Sequence, residues 1–287
     1  MADAPDWFWQ YVETEAETGF VEVEDIDIQY RSWSGAGNPG LLFIHGHNAH
    51  SHWWDFIAPA FRDDYHTVAM DLSGMGDSDH RDEYSADTYA AEIVAVADAA
   101  GLGTDTILVA HSFGGRMALR AVAANPDRFK ALVLVDSGVK HPDEEKPREP
   151  ERWSKPKVYP TSEIARSRFR LQPPQTCDNE YIVQHIARHS VEYDDGAEGF
   201  VWKFDEELNS RMKEYGDVPA DLSAVSIPAA LIYGQNSESF SAKSAEYMQE
   251  VRPGLDVFEI ADAQHHLFLD QPEAFMEQLK AVLAGWS

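Results

Sequence analysis

The sequence predicts an α/β fold: a mostly parallel sheet with helices on both faces, interrupted by an inserted helical cap. Three observations carry this. Short apolar runs alternate with amphipathic helical stretches through residues 41–136 and again through 229–286, the rhythm of parallel strands joined by helical crossovers. At Lys140 the rhythm stops, and residues 141–150 are rich in proline and charge, a linker by composition. Residues 153–213 then hold aromatic-bearing helical segments without strand–helix alternation. The chain therefore divides into a core, residues 1–139 and 217–287, and a cap, residues 140–216.

The elements follow in order. Residues 1–18 are acidic and carry Trp7, Phe8, Trp9 and Tyr11; clustered aromatics seek cover, so a short helix packed on the body is expected. Phe20–Glu24 and Ile26–Trp33 read as a hairpin, ended by the Gly- and Pro-containing turn 34–40. Leu41–His45 is a buried strand, with a helix expected from about Ser51. Thr67–Asp71 is a strand that runs into a glycine-containing loop ending at Asp79. Tyr89, Ile93, Val96, Ala97 and Ala100 share one face of an amphipathic helix. Thr106–Ala110 and Ala131–Asp136 are buried strands flanking an Ala- and Leu-rich helix. After the insertion come strands at Ala229–Tyr233 and Asp256–Ile260 and helices at Ser241–Val251 and Asp270–Trp286. Asp270-x-x-Glu273, with Pro272 between, has the pattern of a capping box.

Bulk composition bounds the function. A chain of 287 residues with 44% hydrophobic residues can build one sizeable core. The net charge of -27 argues against nucleic acid and anionic membranes as partners. The acid is unevenly spread: residues 140–213 carry 13 basic and 15 acidic side chains, against 10 and 35 elsewhere. The single cysteine, Cys177, rules out an intrachain disulfide and fits a reducing, cytoplasmic setting. The first residues have no basic region and no apolar core of a signal peptide, and no apolar run approaches the ~18 residues of a membrane span. A monomer or homodimer acting on a small molecule is expected.

The chemistry centres on Ala110-His111-Ser112-Phe113-Gly114. A strand that reverses into a helix within one residue leaves that residue exposed at a strained tip. Ala110 and Gly114 are small enough for the turn to tighten, and Ser112 would stand beside a helix N-terminus whose free N–H groups favour negative charge. A serine hydroxyl needs a base, and the base an orienting group. The loop between Ile260 and the last helix, with His265 and His266, is placed to supply the base.

With these motifs the sequence resembles the α/β-hydrolase fold superfamily, of the capped kind that includes esterases, C–C bond hydrolases and epoxide hydrolases. The resemblance runs from Phe20 to Trp286. It rests on His45-Gly46-His47, on Asp71-x-x-Gly74-x-Gly76-x-Ser78, on the Ser112 elbow, and on His265 followed by Pro272-Glu273. It implies Ser112 as nucleophile, His265 as base, and the N–H groups of His47 and Phe113 as an oxyanion hole. His265 is selected over His266 because the superfamily's histidine lies seven residues before the helix proline.

For the acid the resemblance leaves two candidates. Relatives place Asp three residues beyond the glycine that corresponds to Gly234, where this chain has Ser237 followed by Glu238. Glu238 is therefore the expected acid and Asp136 the runner-up. Expected pocket residues are His45, Trp54, His111, Trp153, Phe169, Trp202 and His266. Arg166, Arg168 and Arg170 read as a solvated face, with steering of an anionic substrate as the alternative. His45, His47, His50 and His52 cluster, but no Asp, Glu or Cys set stands at a metal-like spacing, so neither metal nor organic cofactor is expected. Serine attacks an acyl carbon, whereas dehalogenases and epoxide hydrolases of this fold use Asp. The expected activity is thus a carboxylesterase acting on a small-molecule ester through an acyl-enzyme. The alternatives are a C–C bond hydrolase of ring-cleavage products and a ligand-binding member that barely turns over.

Overall fold

A computed structural model describes residues 4–33, 35, 37–144 and 157–286. The core strands are β1 (Glu17–Val23), β2 (Ile26–Trp33), β3 (Gly40–Ile44), β4 (His66–Met70), β5 (Tyr84–Ser85), β6 (Ile107–His111) and β7 (Ala131–Val135). Helices α1 (Asp6–Val12), α2 (Ala86–Ala99) and α3 (Ser112–Ala124) lie among them. The insertion follows β7 and holds α4 (Ser162–Ser167), α5 (Glu180–His189), β8 (Val191–Asp194), β9 (Gly199–Trp202), α6 (Leu208–Arg211) and β10 (Met212–Glu214). The core resumes with α7 (Val218–Ala224), β11 (Ala229–Gly234), α8 (Ala242–Val251), β12 (Asp256–Ile260), α9 (Leu267–Asp270) and α10 (Pro272–Ala284).

Eight strands form one sheet in the order β1-β2-β4-β3-β6-β7-β11-β12. From β4 to β12 every neighbouring pair is parallel, and only β2 runs against the rest. Strands β3, β6 and β7 are buried at every residue, which is why they read as unbroken apolar runs rather than as alternation. Successive side chains leave opposite faces. Leu42, Leu108 and Leu132 pack with α2 and α3, whereas Phe43, Val109 and Val133 pack with Trp54, Phe268 and Phe275 on the other side.

Two expectations are corrected. No α-helix starts at Ser51; two short 3-10 turns, Ser51–Trp54 and Ala58–Phe61, stand there. The insertion is not purely helical. β8 and β9 form an antiparallel hairpin, β10 pairs parallel with β5, and Gly76 N–H donates to Lys203 O at 2.8 Å. The insertion is thus tied to the core by backbone hydrogen bonds. The aromatic arm packs as expected: Phe8 is fully buried, with its ring centroid 4.9 Å from that of Tyr181 in α5. Among the described residues no helix is long and apolar enough to cross a membrane.

Candidate active site

Ser112 sits where β6 gives way to α3, with φ at +52°. A non-glycine residue there is strained and is held by its surroundings. Those surroundings are tight. A Cβ on Gly114 would lie 2.2 Å from His45 O, and one on Gly115 2.3 Å from Ser137 Oγ, so only glycine allows the loop and the helix to approach this closely. Gly46 also keeps its loop close, since a Cβ there would lie 2.8 Å from His111 Nδ1 and 3.3 Å from Ser112 Cβ.

Ser112 Oγ–H donates to His265 Nε2 at 3.0 Å, and His265 Nδ1–H donates to Asp136 Oδ2 at 2.6 Å. Asp136 follows β7 in a left-handed conformation, φ +45°, and is 3% exposed. Its carboxylate also accepts Gly234 N–H at 3.0 Å on Oδ1 and Ser237 Oγ–H at 2.7 Å on Oδ2. Glu238, the expected acid, is exposed and makes no contact with His265. This is a correction with a clear physical reason. The carboxylate bonded to the imidazole comes from the end of β7, and Ser237 donates to it.

The His265 loop is fixed on both sides. Gln264 N–H donates to Asp270 Oδ2 at 2.7 Å, and His266 N–H donates to Gln175 Oε1 at 2.9 Å. Gln175, from the insertion, also donates to both Asp270 oxygens at 3.1 Å. Asp270 is therefore not the cap of a capping box. It ends α9, and Gln271 stands at the N-cap of α10 without a side-chain bond.

Several expected pocket residues have other places. His45 is buried, donates Nδ1–H to Gly46 O at 2.7 Å and accepts Leu72 N–H on Nε2 at 3.0 Å. Burial holds its pKa down at about 4, so the ring is neutral and locks the loop. Trp54 lies in the core, stacked on Phe268 at 4.6 Å; its neighbour Trp53 lines a cavity instead. His111 donates Nε2–H to His265 O at 3.1 Å. His266 is buried against Trp53, His111 and His265. Burial pushes both His111 and His266 well below the ordinary imidazole pKa. Trp153 lies outside the described residues.

Two cavities meet at His47. One, about 430 Å³, holds Ser112, His265, Phe113, Arg116, Lys140 and Tyr215 among its walls. Phe113 lies in the first turn of α3, where backbone N–H groups lack helical partners. The other, about 400 Å³, is lined by Trp53, Phe169, Trp202 and Phe204 with Lys157, Arg168 and Arg170. Phe169 and Trp202, expected pocket residues, line this second cavity. Arg168 and Arg170 line this cavity, Arg170 while also donating to Ser167 O at 3.1 Å and Phe169 O at 2.5 Å, and Arg166 bonds back to Ser162 and Glu163. Sequence reasoning missed Trp53, Arg116 and Lys140. The aromatics Phe169 and Trp202 and the alternation of Arg166, Arg168 and Arg170 were the signals that pointed toward the second cavity.

A sheet in this order, a strained serine between strand and helix, and a histidine and an aspartate bonded in line with it are joined by a family match. The model of the alpha/beta hydrolase family matches residues 41–278. The chain belongs to the alpha/beta hydrolase family. Within the family, lipase LipV of Mycobacterium tuberculosis is 33% identical over 114 residues, 40% of this chain and 43% of that protein. The matched stretch is thus less than half of LipV's length. Esterase Rv0045c of the same organism is 25% identical over 263 residues, covering 88% of this chain and 84% of the relative. Its crystal structure superposes with a TM-score of 0.72 over 98% of both chains at 21% identity. The structure of E-2-(acetamidomethylene)succinate hydrolase superposes with a TM-score of 0.73 at 19% identity, over 94% of this chain and all of that one. At such identities the structural likeness speaks for the fold.

Proposed function

We propose that this hydrolase is a serine esterase that cleaves carboxylic esters of small molecules through an acyl-enzyme. The observation that carries the reading is the unbroken line from Ser112 Oγ to His265 Nε2 at 3.0 Å and from His265 Nδ1 to Asp136 Oδ2 at 2.6 Å. His265 takes the Ser112 proton as Oγ attacks the ester carbonyl. Asp136 holds the imidazole in the required tautomer and stabilises the cation that forms. The backbone N–H groups of Phe113 and His47 receive the negative charge on the carbonyl oxygen. His265 then protonates the leaving alcohol, and water activated by the same ring releases the acid. The esterase and lipase relatives support this choice of bond.

The second cavity favours a particular substrate. In a chain of net charge -27, Lys157, Arg168 and Arg170 line an aromatic chamber that shares His47 with the Ser112 cavity. We read this as selection for an acyl or alcohol group that is planar and bears a carboxylate. The succinate named for one structural neighbour is a dicarboxylate.

A fluorophosphonate probe tests the reading. Wild-type protein is expected to be labelled at Ser112 and to turn over short nitrophenyl esters, and Ser112→Ala to do neither. A folded wild-type protein that resists the probe would overturn it.

A further inference from the structure

The first turn after the His47 loop and the last turn of α5 meet in a second cluster of chemistry-bearing side chains, apart from Ser112. His52 and Asp55 come from the core turn Ser51–Trp54 and its C-cap. His185 and His189 are four residues apart in α5, on one face of the helix. His52 Nδ1 lies 2.7 Å and His185 Nε2 2.9 Å from Asp55 Oδ2. The His189 ring stacks on His52 with centroids 3.8 Å apart and lies 4.8 Å from that of His185. One ligand atom from each of the four residues lies within 4.8 Å of every other.

We propose that His52, Asp55, His185 and His189 form a divalent transition-metal site, best suited to Zn²⁺, which clamps the insertion onto the core. Three imidazoles and one carboxylate are ligands that zinc accepts, with bonds of about 2.0–2.2 Å in a tetrahedron. Such bonds set ligand atoms about 3.4 Å apart, inside the range of separations found here. Asp55 and His185 are buried, whereas His52 and His189 are half-buried and leave a way in.

Without a cation the cluster is frustrated at one atom. His52 Nδ1 lies between the Arg31 guanidinium, 3.0 Å away, and Asp55 Oδ2, 2.7 Å away. Protonated, it turns an N–H toward an N–H of Arg31. Unprotonated, it turns a lone pair toward a carboxylate. A metal resolves this by taking the lone pair and Oδ2 together, while Arg31 keeps Asp55 Oδ1. His50 stays outside, with Nε2 bonded to Ser190 Oγ at 2.8 Å.

The test uses the full chain with any affinity tag removed, stripped with EDTA and exchanged into chelator-free buffer. Titration with cobalt(II) chloride is expected to give visible d–d absorption of a tetrahedral site, saturating at one ion per chain and displaced by zinc chloride. Zinc should also raise Tm, and EDTA reverse the rise. His185→Ala/His189→Ala and, as a milder change, His189→Gln should weaken zinc by at least about 100-fold, since even outer-shell partners of a metal are worth 10–100-fold. Wild-type protein that gives no d–d band overturns the proposal. So does metal binding that is equally tight in His189→Gln, which would place the ion elsewhere, as at His111, His265 and His266.

Discussion

Ser237 Oγ–H donates to Asp136 Oδ2 at 2.7 Å, the same oxygen that accepts His265 Nδ1–H. The position at which the resemblance led to an acid is thus held by a donor to a carboxylate from the neighbouring strand. Asp136, just past β7, donates its N–H to Ile232 O of β11 at 2.8 Å, so positions 136 and 237 follow adjacent strands.

That adjacency predicts a transferable acid. Asp136→Asn should lower kcat by roughly 10⁴, the loss seen when a triad aspartate is made an amide, with KM little changed. Glu238→Gln should leave kcat/KM within about twofold, as for a surface change away from such features. Asp136→Asn/Ser237→Asp should recover at least about tenfold over the single variant, because a carboxylate at 237 begins within hydrogen-bond reach of the same spot. Steady-state kinetics on one nitrophenyl ester decides all three. A larger loss in Glu238→Gln than in Asp136→Asn would reverse the assignment.

The legible parts of this molecule were those written in short stretches. Buried parallel strands such as Ile107–His111 announce themselves as apolar runs, and the small residues around Ser112 announce a tight reversal. The acid was less legible because strand-end positions 136 and 237 are about a hundred residues apart, and their rivalry is settled only by which strand lies beside which. Trp53 and Trp54 are neighbours of identical type. One lines a cavity and the other stacks in the core because consecutive side chains of the 3-10 turn point about 120° apart. The His52 cluster was illegible for the same reason as the acid: its partners His185 and His189 lie on a helix of the insertion, and no spacing within residues 45–55 contains them.

Acid should unfold the protein early. Burial lowers the pKa of His45 to about 4 and pushes His111 and His266 well below 6.5. In the unfolded chain these rings take up protons near 6.5. Between that value and the lower folded ones the unfolded state binds more protons, so stability is fully present above about pH 6.5 and falls as pH drops toward 4. His45 alone accounts for ~3 kcal/mol at full effect, taking 1.36 kcal/mol per pKa unit. Urea midpoints measured from pH 8 to pH 4.5 are expected to decline steeply below 6.5, and His45→Gln should flatten the decline. A flat profile to pH 4.5 in the wild type would contradict it.

Charge at the second cavity should separate substrates that differ only in a carboxylate. Arg168 and Arg170 are exposed at the rim, so solvent screens each contact, and a single one is worth at most about 1 kcal/mol to a bound anion. Arg168→Glu replaces attraction by repulsion of similar size, so KM for a carboxylate-bearing ester should rise by roughly 5- to 30-fold. The matched neutral methyl ester should shift by less than twofold, because the aromatic walls of Trp53, Phe169 and Trp202 are untouched. Raising salt from 0.05 to 0.5 M should shrink the wild-type preference, since screening shortens the reach of exposed charges. Equal rises in KM for both esters would mean that Arg168 shapes the rim without reading charge, and the carboxylate reading of the substrate would fall while the esterase reading stands.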